Sequence, residues 1–183
     1  MQVVSGKQAI WLLGLGLSLA SARSLAAPSV GSLLPKITLS GDAGGRVDGQ
    51  PWSSQMLKDK VWMVFYVAPS HRDDNQELKD ALHAAAFPSD KYGSVAVINM
   101  ASSWLPNSII ASALQSNQEK YPLVTYVKDM NKALVTQWHL ADNAFAMLLL
   151  DPQGQVISAK EGDLSKEEIA ATIALIKKTI AAH

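Results

Sequence analysis

The sequence predicts an α/β fold of three layers, α/β/α, around a mixed, mainly parallel central sheet with an N-terminal β-hairpin. Three observations predict it. Val61–Val67 reads V-W-M-V-F-Y-V, an unbroken apolar run rich in β-branched and aromatic residues, as a strand buried on both faces requires. Further apolar runs at 95–98, 123–127 and 147–150 alternate with segments of helical period. That alternation is the order of βα units, whose crossovers lay helices on the faces of a parallel sheet. Asp151-Pro152-Gln153-Gly154 fits a β-turn and sends the chain back antiparallel at the end.

The elements follow in order. Residues 35–40 alternate apolar and polar, as a half-buried strand does. The glycine-rich turn at 41–45 then predicts a return strand at 47–52, making the hairpin. Gly44-Gly45 is turn chemistry rather than a phosphate loop, because no Gly-Lys-Ser/Thr follows it. After Val61–Val67, Asp74-Asn75-Gln76-Glu77 resembles a capping box with Asp in place of Ser or Thr. It opens a helix with Leu78, Ala81, Leu82 and Ala85 on one face, which Phe87-Pro88 ends. Asn107 is placed to cap a second helix, with Ile110, Ala113 and Leu114 as its apolar positions. A short helix is expected over Ala133–Trp138 and an edge strand over 155–160. Ser165-Lys166-Glu167-Glu168 is a capping box before a helix whose stripe is Ile169, Ile173, Ile176 and Ile180.

Residues 1–26 read as a signal peptide. Lys7 supplies a positive n-region, residues 9–19 are apolar, and the triplets Ala20-Ser21-Ala22 and Ser24-Leu25-Ala26 both suit a signal-peptidase cut, after Ala22 or Ala26. The apolar run is shorter than the roughly 20 residues a spanning helix needs. The expected division is a leader, 1–26, and one domain, 27–183, destined for the periplasm and free of the membrane once cut. Acidic and basic residues are equal at 16 each, with no basic stripe, which argues against nucleic acid as a partner and against a transcription factor. There is no cysteine, so disulfides, thiolate metal ligands, cysteine nucleophiles, CxxC redox motifs and a lipidated cysteine are excluded.

The element order resembles the thioredoxin superfamily, in its peroxiredoxin and TlpA-like branch. Several phrases resemble the YtfJ family of exported bacterial proteins. They include Pro88-Ser89-Asp90-Lys91-Tyr92 before Ile98-Asn99, Lys120-Tyr121-Pro122, Trp138-His139-Leu140, and Lys160-Glu161-Gly162-Asp163-Leu164 before the last capped helix. The resemblance implies a fold and a compartment rather than a reaction. In thioredoxin-like enzymes the nucleophilic cysteine lies in the loop after the first core strand, where a helix N-terminus lowers its pKa. That loop is here Ala68-Pro69-Ser70-His71-Arg72-Asp73. The family's cis-proline position aligns with Ala144-Phe145-Ala146. Both halves of the redox apparatus are absent.

The candidate binding face is therefore Pro69, Ser70, His71 and Arg72 with Ala144 and Phe145. The expected function is a non-redox binding module holding an envelope protein, a peptide or a small ligand. The alternative is a hydrolase-like enzyme using Ser70, His71 and Asp73 or Asp74. Adjacent side chains such as Ser70 and His71 diverge, however, and both aspartates read as helix caps. Arg72 at a helix N-terminus also suits an anion. None of the 4 histidines pairs with another at i,i+3 or i,i+4, so no metal site and no cofactor is expected. Among the aromatics, Trp62 belongs in the core. Trp104 and Leu105 sit in a strand-to-helix loop, where they either pack inward or form a partner surface.

Overall fold

The computed structural model describes residues 28–183; the expected leader and both of its cleavage points lie outside the described residues. The strands are β1 (Thr38–Leu39), β2 (Gly44–Arg46), β3 (Trp52–Ser53), β4 (Val61–Val67), β5 (Tyr92–Asn99), β6 (Val124–Asp129), β7 (Phe145–Leu150) and β8 (Val156–Glu161). The helices are α1 (Gln76–Ala85), α2 (Asn107–Lys120), α3 (Ala133–Trp138) and α4 (Lys166–Ala181).

Six strands form one sheet in the order β2-β6-β5-β4-β7-β8. Its centre is parallel: β4 pairs with β5 (Val64 opposite Val95) and β5 with β6 (Ala96 opposite Tyr126). Its flanks are antiparallel, β7 on β4, β8 on β7 and β2 on β6. The strand period of two splits the apolar run of β4 between two cores. Val61, Met63, Phe65 and Val67 pack with Leu78 of α1, Ile110 and Leu114 of α2, and Ile169 and Ile176 of α4. Val64 and Tyr66 pack on the other face with Leu134 and Trp138 of α3 and with Ile37, Leu39 and Trp52. The three long helices thus share one face. The other face is covered by α3 and the N-terminal pair β1–β3.

Three local expectations are corrected. The partner of residues 38–39 is Trp52–Ser53, and the chain between them leaves the hairpin to add β2 to the edge of the main sheet. Gly44 makes that detour possible: at φ +120°, a Cβ there would lie 1.9 Å from Lys128 O. Asp74 does not cap α1. The N-cap is Asn75, in the left-handed region at φ 54°, and no side chain caps the helix. Asn107 is the first residue of α2 rather than its cap, because Pro106 takes the N-cap position. The capping box at Ser165 forms as expected, with Ser165 Oγ accepting from Glu168 N and Glu168 accepting from Ser165 N.

Trp138 is the keystone of the second core. It is 1% exposed, meets Trp52 edge-on at 6.5 Å, and donates from Nε1 to Pro35 O at 2.8 Å. Trp138→Ala is expected to cost about 3–5 kcal/mol by leaving a cavity, whereas Trp104→Ala stays within about 0.5 kcal/mol. Urea unfolding of dilute protein reads both; equal losses would contradict the packing described.

Candidate functional site

In open α/β sheets, ligand-binding loops gather beyond the C-terminal ends of the parallel strands. Four segments meet there in this chain: the loop after β4, the ends of β5 and β6, and the approach to β7. The loop after β4 opens with Ala68, whose N–H is held by Ala144 O at 2.9 Å. Pro69–His71 then makes a single 3-10 turn, with proline supplying the required φ at its start.

The candidate side chains are tied to the protein itself. Ser70 Oγ donates to Asn143 Oδ1 at 3.0 Å. His71 Nδ1 lies 2.7 Å from Asp74 Oδ2, each side chain about one-third exposed. Arg72 Nε meets Asp73 Oδ2 at 3.3 Å, with both groups well out in solvent. Asn75 spans to the far side of the site, donating from Nδ2 to Gly162 O at 3.0 Å and accepting from Leu164 N at 2.8 Å. Lys79 Nζ reaches back from α1 to Arg72 O at 2.6 Å and sits 5.7 Å from the centre of the Phe145 ring. Burial lowers the Lys79 pKa, and Asp73, Asp74 and Asp80 oppose that shift.

The triad reading therefore meets a specific geometry. His71 and Asp74 have the separation of a base and its orienting carboxylate, but the Ser70 hydroxyl is bonded to Asn143. Phe145 is withdrawn from the candidate face. Its ring is 1% exposed and packs on Phe65 at 5.6 Å, because residue 145 begins β7 opposite Val67. Ala144 remains half-buried at the loop. Trp104 and Leu105 part company: Leu105 packs against the first core, while Trp104 is 91% exposed. Clefts of about 160 and 110 Å³ lie at the opposite end of the sheet, around Leu33 and Lys58 and around Asp59 and Lys91.

A polar cluster at this end escaped sequence reasoning. Asp129, 0% exposed, accepts from Tyr66 Oη at 3.2 Å and from the N–H groups of Asn131, Ala133 and Leu134 at 2.9–3.2 Å. It thereby fastens the start of α3 to the sheet. Burial first, and Asp129 second, raise the Tyr66 pKa far above the usual tyrosine value, so the phenol stays a donor. Beside it, Asn99 (0% exposed) donates from Nδ2 to Asp142 Oδ1 at 2.8 Å, and Lys132 Nζ meets Asp142 Oδ2 at 2.6 Å. Asn99 Oδ1 is buried without a partner among the described residues, as is His139 Nε2. The available signal was a polar residue ending each apolar strand, in Ile98-Asn99 and Lys128-Asp129. Among the described residues, no group of three or more His, Asp and Glu side chains is placed to hold a metal ion. No helix there is long and apolar enough to cross a membrane.

The hydrogen bond from Lys132 is the main reason that the Asp142 carboxyl titrates below the usual aspartate range, with Asn99 and the Asn143 N–H adding to it. A depressed folded pKa gives stability that is complete above the unfolded value of about 3.9 and is lost as pH falls through the folded one. Asp142→Asn should therefore flatten the acid limb of a melting-temperature profile below about pH 4. An unchanged acid limb would show that the pair carries no linkage.

A family model described as a bacterial protein of unknown function, YtfJ_HI0045, matches residues 36–179. The uncharacterized protein YtfJ of Escherichia coli K12 is 30% identical over 133 residues, covering 70% of this chain and 72% of that protein. An uncharacterized protein of Haemophilus influenzae is 28% identical over 130 residues, 69% of this chain and 71% of that one. Among solved structures, a putative protein disulfide isomerase from Bacteroides thetaiotaomicron superposes with TM-score 0.62 at 14% identity, over 84% of this chain and 91% of that one. A thiol peroxidase from Chromobacterium violaceum gives TM-score 0.61 at 10% identity, over 86% and 91%. At such identities these two likenesses establish the fold alone. With no cysteine in its sequence it is neither a thiol oxidoreductase nor a thiol peroxidase, and the chain, thioredoxin-like in fold, belongs to the YtfJ family of bacterial proteins of unknown function.

Proposed function

We propose that this protein is exported to the periplasm, loses a signal peptide lying within residues 1–26 by a cut after Ala22 or Ala26, and acts there through the domain of residues 27–183 as a non-redox binding module. Its binding face is the loop Pro69–Arg72 with Ala144. The partner is an envelope protein, a peptide or a small ligand. The carrying observation is how the polar atoms of that loop are used. Ser70 is bonded to Asn143 and His71 to Asp74, so the loop is braced rather than armed. A braced loop loses little entropy when a partner lands on it, which favours recognition. The Arg72 side chain, 73% exposed, supplies its outward charge. A hydrolytic role is less supported, because Ser70 Oγ would have to leave Asn143 before His71 could take its proton.

Export is tested by fractionation and N-terminal sequencing. The periplasmic protein should begin at Arg23 or Ala27, and Leu12→Arg with Leu13→Arg should hold the chain in the cytoplasm. A full-length cytoplasmic chain would overturn the compartment. Binding is tested in living cells with a photo-crosslinking residue in place of Arg72 or of Ala144. Each should give a discrete adduct that the same residue at Lys58, on the opposite end of the sheet, does not give. Adducts that are absent, or identical from all three positions, would sink this face.

A further inference from the structure

The two ends of the sheet carry opposite charge. Acidic and basic residues are equal in number over the chain, so the difference lies in their placement. At the end opposite the Pro69–Arg72 face, Lys58 and Lys60 lead into β4, Lys91 leads into β5, and Lys177 and Lys178 close α4. Lys36 joins Lys58 in the lining of one cleft there. Among the described residues none of these lysines forms an ion pair. The carboxylates at this end are Asp59, Asp90 and Asp151, and Asp151 is already engaged by the N–H groups of Gln153 and Gln155. Glu119 and Lys120, at the end of α2, cancel each other. The other end is the reverse. Arg72, Lys132 and Lys160 each meet a carboxylate, and Glu77, Asp163 and Glu167 stand exposed beyond those pairs, against Lys166.

The lysine-rich end is also where apolar side chains face water. Of the 6 large apolar side chains exposed among the described residues, Val30, Leu33, Met56 and Leu123 stand there, each more than half exposed. Gly31 N–H donates to Val156 O at 2.8 Å and Val156 N–H to Ser32 O at 2.9 Å, which holds Val30 and Leu33 beside the turn between β7 and β8. Leu33 shares the cleft of about 160 Å³ with Lys36 and Lys58, and Met56 lies between two further residues of its lining, Gln55 and Leu57. Leu123 leads into β6. Exposed apolar residues scattered singly are ordinary. Their gathering among unpaired lysines is the observation that asks for an occupant.

The two features together decide the occupant. A hydrated acidic surface would answer the lysines and leave Val30, Leu33 and Met56 without apolar contact. An apolar protein surface would take water from the ammonium groups and return no counter-charge. A bilayer of anionic phospholipid answers both, at different depths. Its phosphates meet the lysine heads, and short apolar side chains enter the boundary between headgroups and acyl chains. Lysine suits that boundary, because its stem lies along apolar surface while its head stays in water. The chain outside the described residues points to the same occupant. Pro28, where the described chain begins, lies at this end, and the apolar run 9–19 of the expected leader precedes it by only 8 residues. That spacing reaches at most about 30 Å, so before any cut this end of the domain is the one held toward the membrane.

We propose that this end of the domain docks reversibly on an anionic phospholipid surface, with Val30, Leu33 and Met56 entering the boundary and Lys36 and Lys58 meeting phosphate. The expectation of a chain free of the membrane once cut then narrows: the domain rests on the bilayer by one end without spanning it. The Pro69–Arg72 face lies at the other end and points away from the lipid, so either proposal can fail alone. The test is co-sedimentation of the protein, as cells process it, with vesicles of equal parts phosphatidylglycerol and phosphatidylcholine. Binding should be at least tenfold weaker on phosphatidylcholine alone and should fall as salt rises. Lys36→Glu with Lys58→Glu should weaken it at least tenfold, and Leu33→Ser with Met56→Ser at least threefold. Lys166→Glu, exposed at the other end, should leave it unchanged. Circular dichroism melts establish that the variants are folded. A chain that does not bind, binds both vesicles equally, ignores salt, or still binds after the lysine reversals would overturn the proposal. So would loss of binding in the Lys166 variant. A photo-crosslink from position 33 to a protein in living cells, with no vesicle binding, would give this end to that protein and also overturn it.

Discussion

Strand β4 is hydrogen-bonded on both edges and apolar on both faces, and this double burial sets the rest of the molecule. One face is met by three helices with ordinary apolar stripes. The other carries Tyr66, whose ring packs with the second core but whose hydroxyl must find a partner. Asp129 supplies it. A buried carboxylate needs donors in turn, and Asp129 takes them from the first N–H groups of α3. That fixes where α3 starts, and at its last residue Trp138 is delivered to the core, where it binds Pro35 O and pins the N-terminal segment. A chain of satisfied polar groups thus runs from the middle of the sheet to the N-terminal side of the domain.

The end of the sheet beyond β4, β5 and β6 also concentrates backbone strain. Asn75, Lys132 and Asn143 all have positive φ without being glycine, at about 1–2 kcal/mol each in a left-handed conformation. Each is held by its own side chain. Asn75 binds Gly162 O and Leu164 N, Lys132 binds Asp142, and Asn143 accepts from Ser70. Strain that persists because several bonds enforce it marks loops whose shape is specified, and such loops gather at binding sites. Of these bonds, the one from Ser70 to Asn143 engages the hydroxyl that a catalytic reading would use as nucleophile, whereas Asp74 holds His71 through Nδ1.

The sheet and the helices were legible because burial writes itself as period. The unbroken run at Val61–Val67, the stripe of α4 and the Ser165 box were each local and unambiguous. The site was less legible, because its bonds link residues far apart in the chain. Ser70 and Asn143 lie 73 positions apart, and Asn75 and Leu164 lie 89 apart. Asp74 reads as a cap from its neighbours but bonds His71, since Asn75 turns left-handed and carries the backbone of residue 74 out of capping position. Phe145 aligns with an active-site position, yet strand alternation turns its ring inward. Loop Trp104-Leu105 left two readings open in sequence; Leu105 packs inward, and Trp104 is exposed.

Thiol chemistry in this fold needs an exposed sulfur at the N-terminus of α1 and open space for a substrate beside it. Here the chain carries no sulfur at that position. The Lys79 amine bonds Arg72 O at 2.6 Å and sits 5.7 Å from the centre of the Phe145 ring, which ties α1 to the loop. What remains outside is Arg72 and Asp73, paired and exposed on a braced loop. In the binding role proposed above, the rigidity of this loop would limit the entropy lost on contact. The chain thus keeps a thioredoxin-like sheet without a sulfur nucleophile, and the recognition role proposed above rests on how the loop after β4 is braced.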